Sequence, residues 1–325
     1  MIYNQSKAVL TIATGKLIYI QMAVNLARSF KWWHKNSSIK FVLATDQKHL
    51  LPEDLLDIEI IELQPGEYGY GFSPKLYLDK LAPAKHTLFI DADCLCVNSL
   101  DSVFERFAGH AVSVVGGTIS QGEWFGDVAR VCQRFKVAVL PKFNGGVYYL
   151  EKGELSDRVY STARELEPQY DEIGLVRLRN RPNDELLMAI AMALHNQTPI
   201  PDDGSIMSDP QACPGALFID VLRGKSRLLN PPAPHPKHQA WYPFTEVNPV
   251  IVHFLGDYTT KYPYKREEFK LLLAGSEGWP IRAADLWATV FRTIPLLSIQ
   301  ILKNTLRPAY RKLFGTRRIA VSERL

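Results

Sequence analysis

With 325 residues, 46% hydrophobic and 22% charged, the chain has an ordinary globular composition, enough for one large α/β domain with an extension or for two smaller domains. The net charge of +4 is unevenly spread: residues 303–325 carry +6, which leaves −2 for residues 1–302, so the basic character belongs to the tail. The four cysteines, Cys94, Cys96, Cys132 and Cys213, have neither disulfide-framework nor paired zinc-site spacing, the start does not read as a signal peptide, and no apolar run spans a bilayer; a reducing, cytoplasmic setting is expected.

Residues 9–13 predict a first buried strand, followed by a turn at Gly15 and an amphipathic helix with Tyr19, Met22, Ala23, Leu26, Ala27 and Phe30 at helical spacing. Residues 41–44 and 58–63 predict two more strands. This alternation argues for a largely parallel sheet covered by helices, and ligands of such sheets gather at the carboxyl ends of the strands. Thr14, Asp46 and Asp91 are therefore candidates for one shared cleft. A glycine- and tyrosine-rich loop at 66–71 leads into Phe72-Ser73-Pro74-Lys75-Leu76, expected to start a helix beneath the next strand. Lys75 reads either as a solvated charge or as a cation reaching a diphosphate or sugar.

The stretch 88–97 is the centre of the chain. A short apolar run, entered from His86 and Thr87, breaks at Asp91-Ala92-Asp93. Alternation along a strand would send both carboxylates to one side, where they repel unless a divalent cation accompanies them. The expectation is a Mg²⁺ or Mn²⁺ ion bridging nucleotide-sugar phosphates. A lone D-x-D match is weak, and two solvated acids in a turn are the competing reading.

Residues 111–115 predict another strand, and 143–150 a further one that opens with Asn144-Gly145-Gly146, where a close backbone approach or a bulge would explain the glycines. Asp184-Glu185 then precedes a helix at 186–194, and capping is the plain role of Asp184 there. Residues 199–249 are proline-rich and expected to be irregular, as a loop that covers a site or is disordered. Residues 250–256 repeat the central pattern, a buried strand delivering His253, which reads as a third metal ligand or as a hydrogen-bonded structural histidine. No internal repeat of fixed period is visible.

In this order, the motifs resemble the glycosyltransferases of family eight, the group of glycogenin and the bacterial lipopolysaccharide galactosyl- and glucosyltransferases. The likeness spans roughly residues 1–265, taken as the catalytic domain, with 266–325 as a basic helical extension. It implies a GT-A fold, a Rossmann-like α/β arrangement with a mostly parallel sheet flanked by helices. It also implies retaining transfer of a sugar from a nucleoside diphosphate donor, commonly a UDP-sugar, to a glycan, lipopolysaccharide or glycolipid. By that likeness Asp91, Asp93 and His253 are metal ligands for Mn²⁺ or Mg²⁺, and Tyr19 stacks on the base beside Thr14. Lys75 and Asp184 bind the donor sugar, Asn144 lies near the reacting centre, and Ala92, Gly145 and Gly146 line the donor site. Gly256 and Lys261 hold the diphosphate.

Three departures stand out. Asp184-Glu185 replaces the family's usual Asp-Gln, adding a negative charge. Lys261 lies five residues after Gly256, rather than three, and Tyr262-Pro263 follows where the family has Pro-Trp. The first strand lacks an acid before the tyrosine. Residues 284–318 mix Trp287, Phe291, Ile294 and other apolar groups with a Lys/Arg cluster, which suits either a helix lying on an anionic membrane or a terminal helix packed on the domain. Competing functions are a sugar nucleotidyltransferase, disfavoured because no Gly-rich phosphate loop follows the first strand, and a binding module without turnover. The aromatic-poor run at Arg317-Arg318 gives nucleic-acid binding little support.

Overall fold

A computed structural model describes residues 6–316. Among them the strands run, in chain order, β1 (Lys7–Ala13), β2 (Lys40–Thr45), β3 (Glu59–Glu62), β4 (His86–Ile90), β5 (Cys94–Cys96), β6 (Val112–Ile119) and β7 (Leu140–Glu151). They continue with β8 (Ile200–Pro201), β9 (Met207–Ser208), β10 (Ala216–Asp220), β11 (Lys225–Leu229), β12 (Glu246–Val247) and β13 (Ile251–His253).

Seven of these build a central sheet in the order β3-β2-β1-β4-β7-β6-β8, parallel except where β7 runs against both β4 and β6. The mixed α/β architecture with a mostly parallel sheet, expected from the alternating pattern, is what the chain adopts. The sheet is covered on both faces, so its central strands read as continuous apolar runs, whereas β3 lies at the edge with exposed Glu59 and Glu62, charges that discourage pairing with another chain. The helix Leu17–Trp33 buries Ile20, Ala23, Leu26, Ala27 and Phe30 against one face, together with Val9, Leu43 and Leu88. The helices Glu154–Leu166 and Asp184–Leu194 cover the other face, against Leu10, Phe89 and Tyr148. The expected helix around Lys75 forms as a 3₁₀ turn, Ser73–Tyr77, running into one α-turn, Leu78–Leu81.

Two expectations change. The central stretch is not one strand: β4 ends at Ile90, Asp91 to Asp93 form a turn closed by Cys94 N–H donating to Asp91 O (3.0 Å), and β5 leaves the main sheet. It joins a small sheet, β5-β13-β9, in which His253 stands directly opposite Cys94. Nor are residues 199–249 irregular throughout. They hold β8, β9 and a second small sheet, β10-β11-β12, whose hairpin is joined by the 3₁₀ turn Val221–Arg223 and Gly224 at φ +68°. Strands of two residues exist only through their partners, so no local periodicity marks them.

Beyond residue 263 the chain packs back onto the domain. Tyr264, Leu271, Leu273 and Ala274 share an apolar cluster with Val221, Leu222 and Leu228 of the hairpin region and with Phe254. The fully buried Lys270 ammonium lies 2.6 Å from Asp220 Oδ1, 3.1 Å from Asp285 Oδ1 and 3.3 Å from Glu267 Oε2, and Glu267 in turn accepts from Val221 N–H. A buried charge survives only when matched in this way. The last helix, Ile294–Phe314, has no buried residue and exposes Ile299, Ile301, Leu302, Leu306, Leu313 and Phe314. No helix among the described residues is long and apolar enough to cross a membrane. Arg317, Arg318 and Arg324 of the basic tail lie outside the described residues.

Candidate functional site

The end of β4 and the middle of β7 form the floor on which the polar groups converge. Pairing of the two strands stops at Ile90 and Val147, and one further bond, Asp91 N–H to Gly146 O at 2.9 Å, carries the chain into the acidic turn. The return of β13 beside β5 then brings His253 against that turn. Its Nε2 is 3.0 Å from Asp93 Oδ1 and 3.7 Å from Asp91 Oδ2. On the other side of the ring, Nδ1 is 2.9 Å from Asn144 Oδ1, which also accepts from Gly146 N–H at 3.0 Å. With that oxygen serving as acceptor, the network assigns the proton to Nδ1 and aims Nε2 at the carboxylates.

Lys75 forms the second half of the cluster. Its ammonium donates to Asp91 Oδ2 (2.7 Å) and Gly145 O (2.9 Å) and lies 3.8 Å from Asp184 Oδ2. The solvated-charge reading of Lys75 does not hold, because its side chain is 13% exposed. Asp184 is 2% exposed and accepts from the Tyr148 hydroxyl at 2.5 Å. The helix cap is Asn183, whose Oδ1 accepts from Glu185 N–H, so the carboxylate of Asp184 is left to face Lys75. Glu185 Oε1 accepts from Gly145 N–H at 2.8 Å.

The two glycines have a structural reason that sequence alone leaves open. A Cβ on Gly145 would sit 3.1 Å from Asp184 Oδ2 and 3.2 Å from both Glu185 Cγ and the Tyr148 hydroxyl. One on Gly146 would sit 2.5 Å from His253 Nδ1. Their four backbone polar groups are all engaged, by Lys75, Glu185, Asn144 and Asp91, so this short segment ties the two halves of the cluster together.

Electrostatics follows from that crowding. Burial pushes the carboxyl groups upward: Asp184 is raised despite Lys75 and the Tyr148 hydroxyl, and Glu185, which also faces the charge of Asp184, is pushed up to about 7. Burial would lower Lys75 and His253, yet both are raised. Asp184 and Asp91 outweigh it at the lysine, and Asp93 and Asp91 at the imidazole.

Asp93, Cys94 and His253, all buried, each present a ligand atom within 4.8 Å of the others, with Asp91 beside the same imidazole nitrogen. Carboxylate oxygens plus one imidazole form a donor set able to hold a divalent cation, and a histidine whose other ring nitrogen is fixed by a hydrogen bond is the usual arrangement of a metal ligand. The residues fit such an ion. Ala92 lies between the two acids and is buried.

The remaining expected residues stand further out. Thr14 follows β1, and the adjoining Gly15 N–H donates to both carboxylate oxygens of Asp46 at 3.0 and 3.1 Å, joining the ends of β1 and β2. Tyr19 lies half-buried in the first turn of its helix, packed against the core. Gly256 adopts φ +58° at the start of the 3₁₀ turn Gly256–Thr260. Lys261 is half-exposed, with Nζ 2.5 Å from Asp257 and over the Tyr258 ring, a local surface arrangement. Sequence reasoning missed Tyr148, Cys94 and Asp209, a buried carboxyl raised by burial that interacts with His253. Each lies one to four residues from a residue singled out above or from a paired strand, and only the fold brings it into the cluster.

No protein-family model matches the chain, and no curated protein matches its sequence. Solved structures are similar to it. A galactosyltransferase, LgtC, in complex with donor and acceptor sugar analogues is 14% identical, with 86% of this chain and 95% of that one covered and a TM-score of 0.49. An active-site mutant of LgtC is 14% identical over 77% of this chain and 87% of that one, also with a TM-score of 0.49. The glycosyltransferase GlyE of Streptococcus pneumoniae TIGR4 is 15% identical over 62% of this chain and 46% of that one, with a TM-score of 0.41.

Proposed function

We propose that this chain is a metal-dependent glycosyltransferase that moves a sugar from a nucleoside diphosphate donor, a UDP-sugar by its motifs, to a glycan, lipopolysaccharide or glycolipid acceptor with retention of configuration. The observation that carries the reading is the meeting of the Asp91 and Asp93 carboxylates with His253, remote from them in sequence, both within 3.7 Å of its Nε2. A divalent ion held by these three would neutralise charge developing on the departing diphosphate. Lys75 adds a largely shielded cation to the same region and orients Asp91 and Asp184. Asp184, held by Tyr148 and Lys75, presents a carboxylate that stabilises positive charge on the sugar ring as the anomeric bond breaks. Asn144 fixes the imidazole, and Gly145 and Gly146 hold the two sets of groups at a constant spacing. Thr14, Tyr19, Ala92, Gly256 and Lys261 would complete the donor site around base and diphosphate.

The protein would act in the cytoplasm, at the inner membrane face, where the apolar groups of Ile294–Phe314 and the cations Lys303, Arg307, Arg311 and Lys312 meet anionic headgroups. Calorimetry with UDP and Mn²⁺ tests the site. Binding should require the metal and fall at least about tenfold in Asp93→Ala, and full retention by that variant would refute it. Hydrolysis of a panel of UDP- and GDP-sugars separates turnover from binding alone and identifies the donor.

A further inference from the structure

The strand pair β5-β13 has two ends. His253 and Cys94 mark one, and at the other Val97 N–H donates to Val250 O at 2.7 Å. The ends are three residue steps apart, roughly 10 Å at the rise of a strand. At this second end lies an open cleft of about 730 Å³, bordered by the loops beside Val97 and Val250, the β10-β11 hairpin and the helical segments beyond residue 263. None of the residues assigned above to the catalytic cluster lines it. The volume is in the range of small-molecule sites.

Its lining has a definite chemical character. Lys225, Arg227 and Arg266 face it, against one carboxylate, Asp220. Asp220 is already matched, with Lys270 at 2.6 Å on one oxygen and Arg223 at 2.6 Å on the other. Arg227 is paired with Glu246 at 3.0 Å and lies over the Phe218 ring, and Arg266 is held by Glu267 and Asp285. Lys225, although in register with Asp220 across the hairpin, makes no ion pair among the described residues and is exposed. An ammonium free to turn is a point-charge partner for phosphate oxygens, and the amide of Asn248 adds a neutral donor. Phe218, 52% exposed, and Pro249 offer an apolar wall beside them.

We propose that this cleft is a second ligand site, specific for a phosphomonoester carried on a small organic body, with Lys225 as its principal anion contact. The body rests against Phe218 and Pro249. The site does not depend on the transferase reading, and a phosphorylated metabolite in solution and the headgroup of a phosphorylated lipid share the chemistry it selects.

The 325-residue chain and its Lys225→Glu variant are titrated with glycerol phosphate by calorimetry, and separately sedimented with phosphatidylcholine vesicles with and without phosphatidic acid. Lys225 is exposed and makes no ion pair among the described residues, but the new carboxylate stands opposite Asp220, so unchanged melting of the variant, or the same comparison made with Lys225→Gln, keeps a folding defect apart from loss of the site. Saturable binding of glycerol phosphate, weakened about tenfold or more by Lys225→Glu, is the expected result for a soluble ligand. Binding confined to phosphatidic acid vesicles, weakened to the same degree, assigns the site to a headgroup. Absence of saturable binding in both arms, or binding equal in the two proteins, overturns the proposal. Metal-dependent UDP binding is measured on the same samples. It should be equal in both proteins, so its loss in the wild type would count against the transferase reading alone.

Discussion

Glu185 offers a direct test of the electrostatics of the cluster. The fold encloses its carboxyl group beside Asp184 and raises it from 4.5 to about 7. Between those two values the folded protein keeps a proton that the unfolded chain has released, so stability falls as pH rises through the window. Glu185→Gln removes the penalty. Glutamine has the same shape, and its carbonyl oxygen can still accept from Gly145 N–H, so the hydrogen bond that holds the glycine segment is retained. At about 1.4 kcal/mol per pH unit the rise corresponds to at most about 3.5 kcal/mol, the full gain appearing above the folded pKa and vanishing below about pH 4.5. The assay is urea denaturation of both proteins at pH 4.5 and pH 8. The variant should unfold with the wild type at the lower pH and at clearly higher urea at the upper one. An equal difference at both values, or a less stable variant at pH 8, would show that Glu185 is not held protonated by its surroundings.

Two further outcomes follow from packing and exposure. Gly146→Ala places a methyl group 2.5 Å from His253 Nδ1 and 3.0 Å from Met207 Sδ, so the imidazole must move; Mn²⁺ affinity should fall about tenfold or more at a stability cost of about 1–3 kcal/mol, and electron paramagnetic resonance titration showing unchanged Mn²⁺ binding would contradict the placement of the ring. Removing residues 294–325 deletes a helix with no buried side chain, so the melting temperature should stay within a few degrees while sedimentation with anionic vesicles is lost. Unchanged vesicle binding would remove the membrane role.

The alternation of apolar strands and helices from residue 9 to residue 63, the apolar run before Asp91 and the apolar face of the helix at 186–194 were legible because each is a local periodicity set by burial. The expectation that strand alternation aligns Asp91 with Asp93 fails for a specific reason. Asp91 to Asp93 turn the chain out of the main sheet, and the pairing of Cys94 with His253, which rewards that turn, comes from 159 residues away. Tyr148 escaped notice because its hydroxyl lies among residues that read as core, and its partner Asp184 is supplied by a different element. The hairpin at 216–229 lies in a stretch whose sequence looks irregular because its turn lacks a short hairpin signature and its strands are stabilised by Glu267 and Lys270 from beyond the expected domain limit.

By itself, then, the sequence determined which segments are apolar, with what period, and which acids, lysine and histidine sit at their ends, since these are properties of neighbouring residues. Only the tertiary structure decided that Lys75 is largely withdrawn from solvent, that Asn183 rather than Asp184 caps its helix, that Gly145 and Gly146 lack side chains to make room for Asp184 and His253, and that one imidazole faces two carboxylates. Those facts depend on distances between groups remote along the chain, and such distances are set by the packing of whole elements.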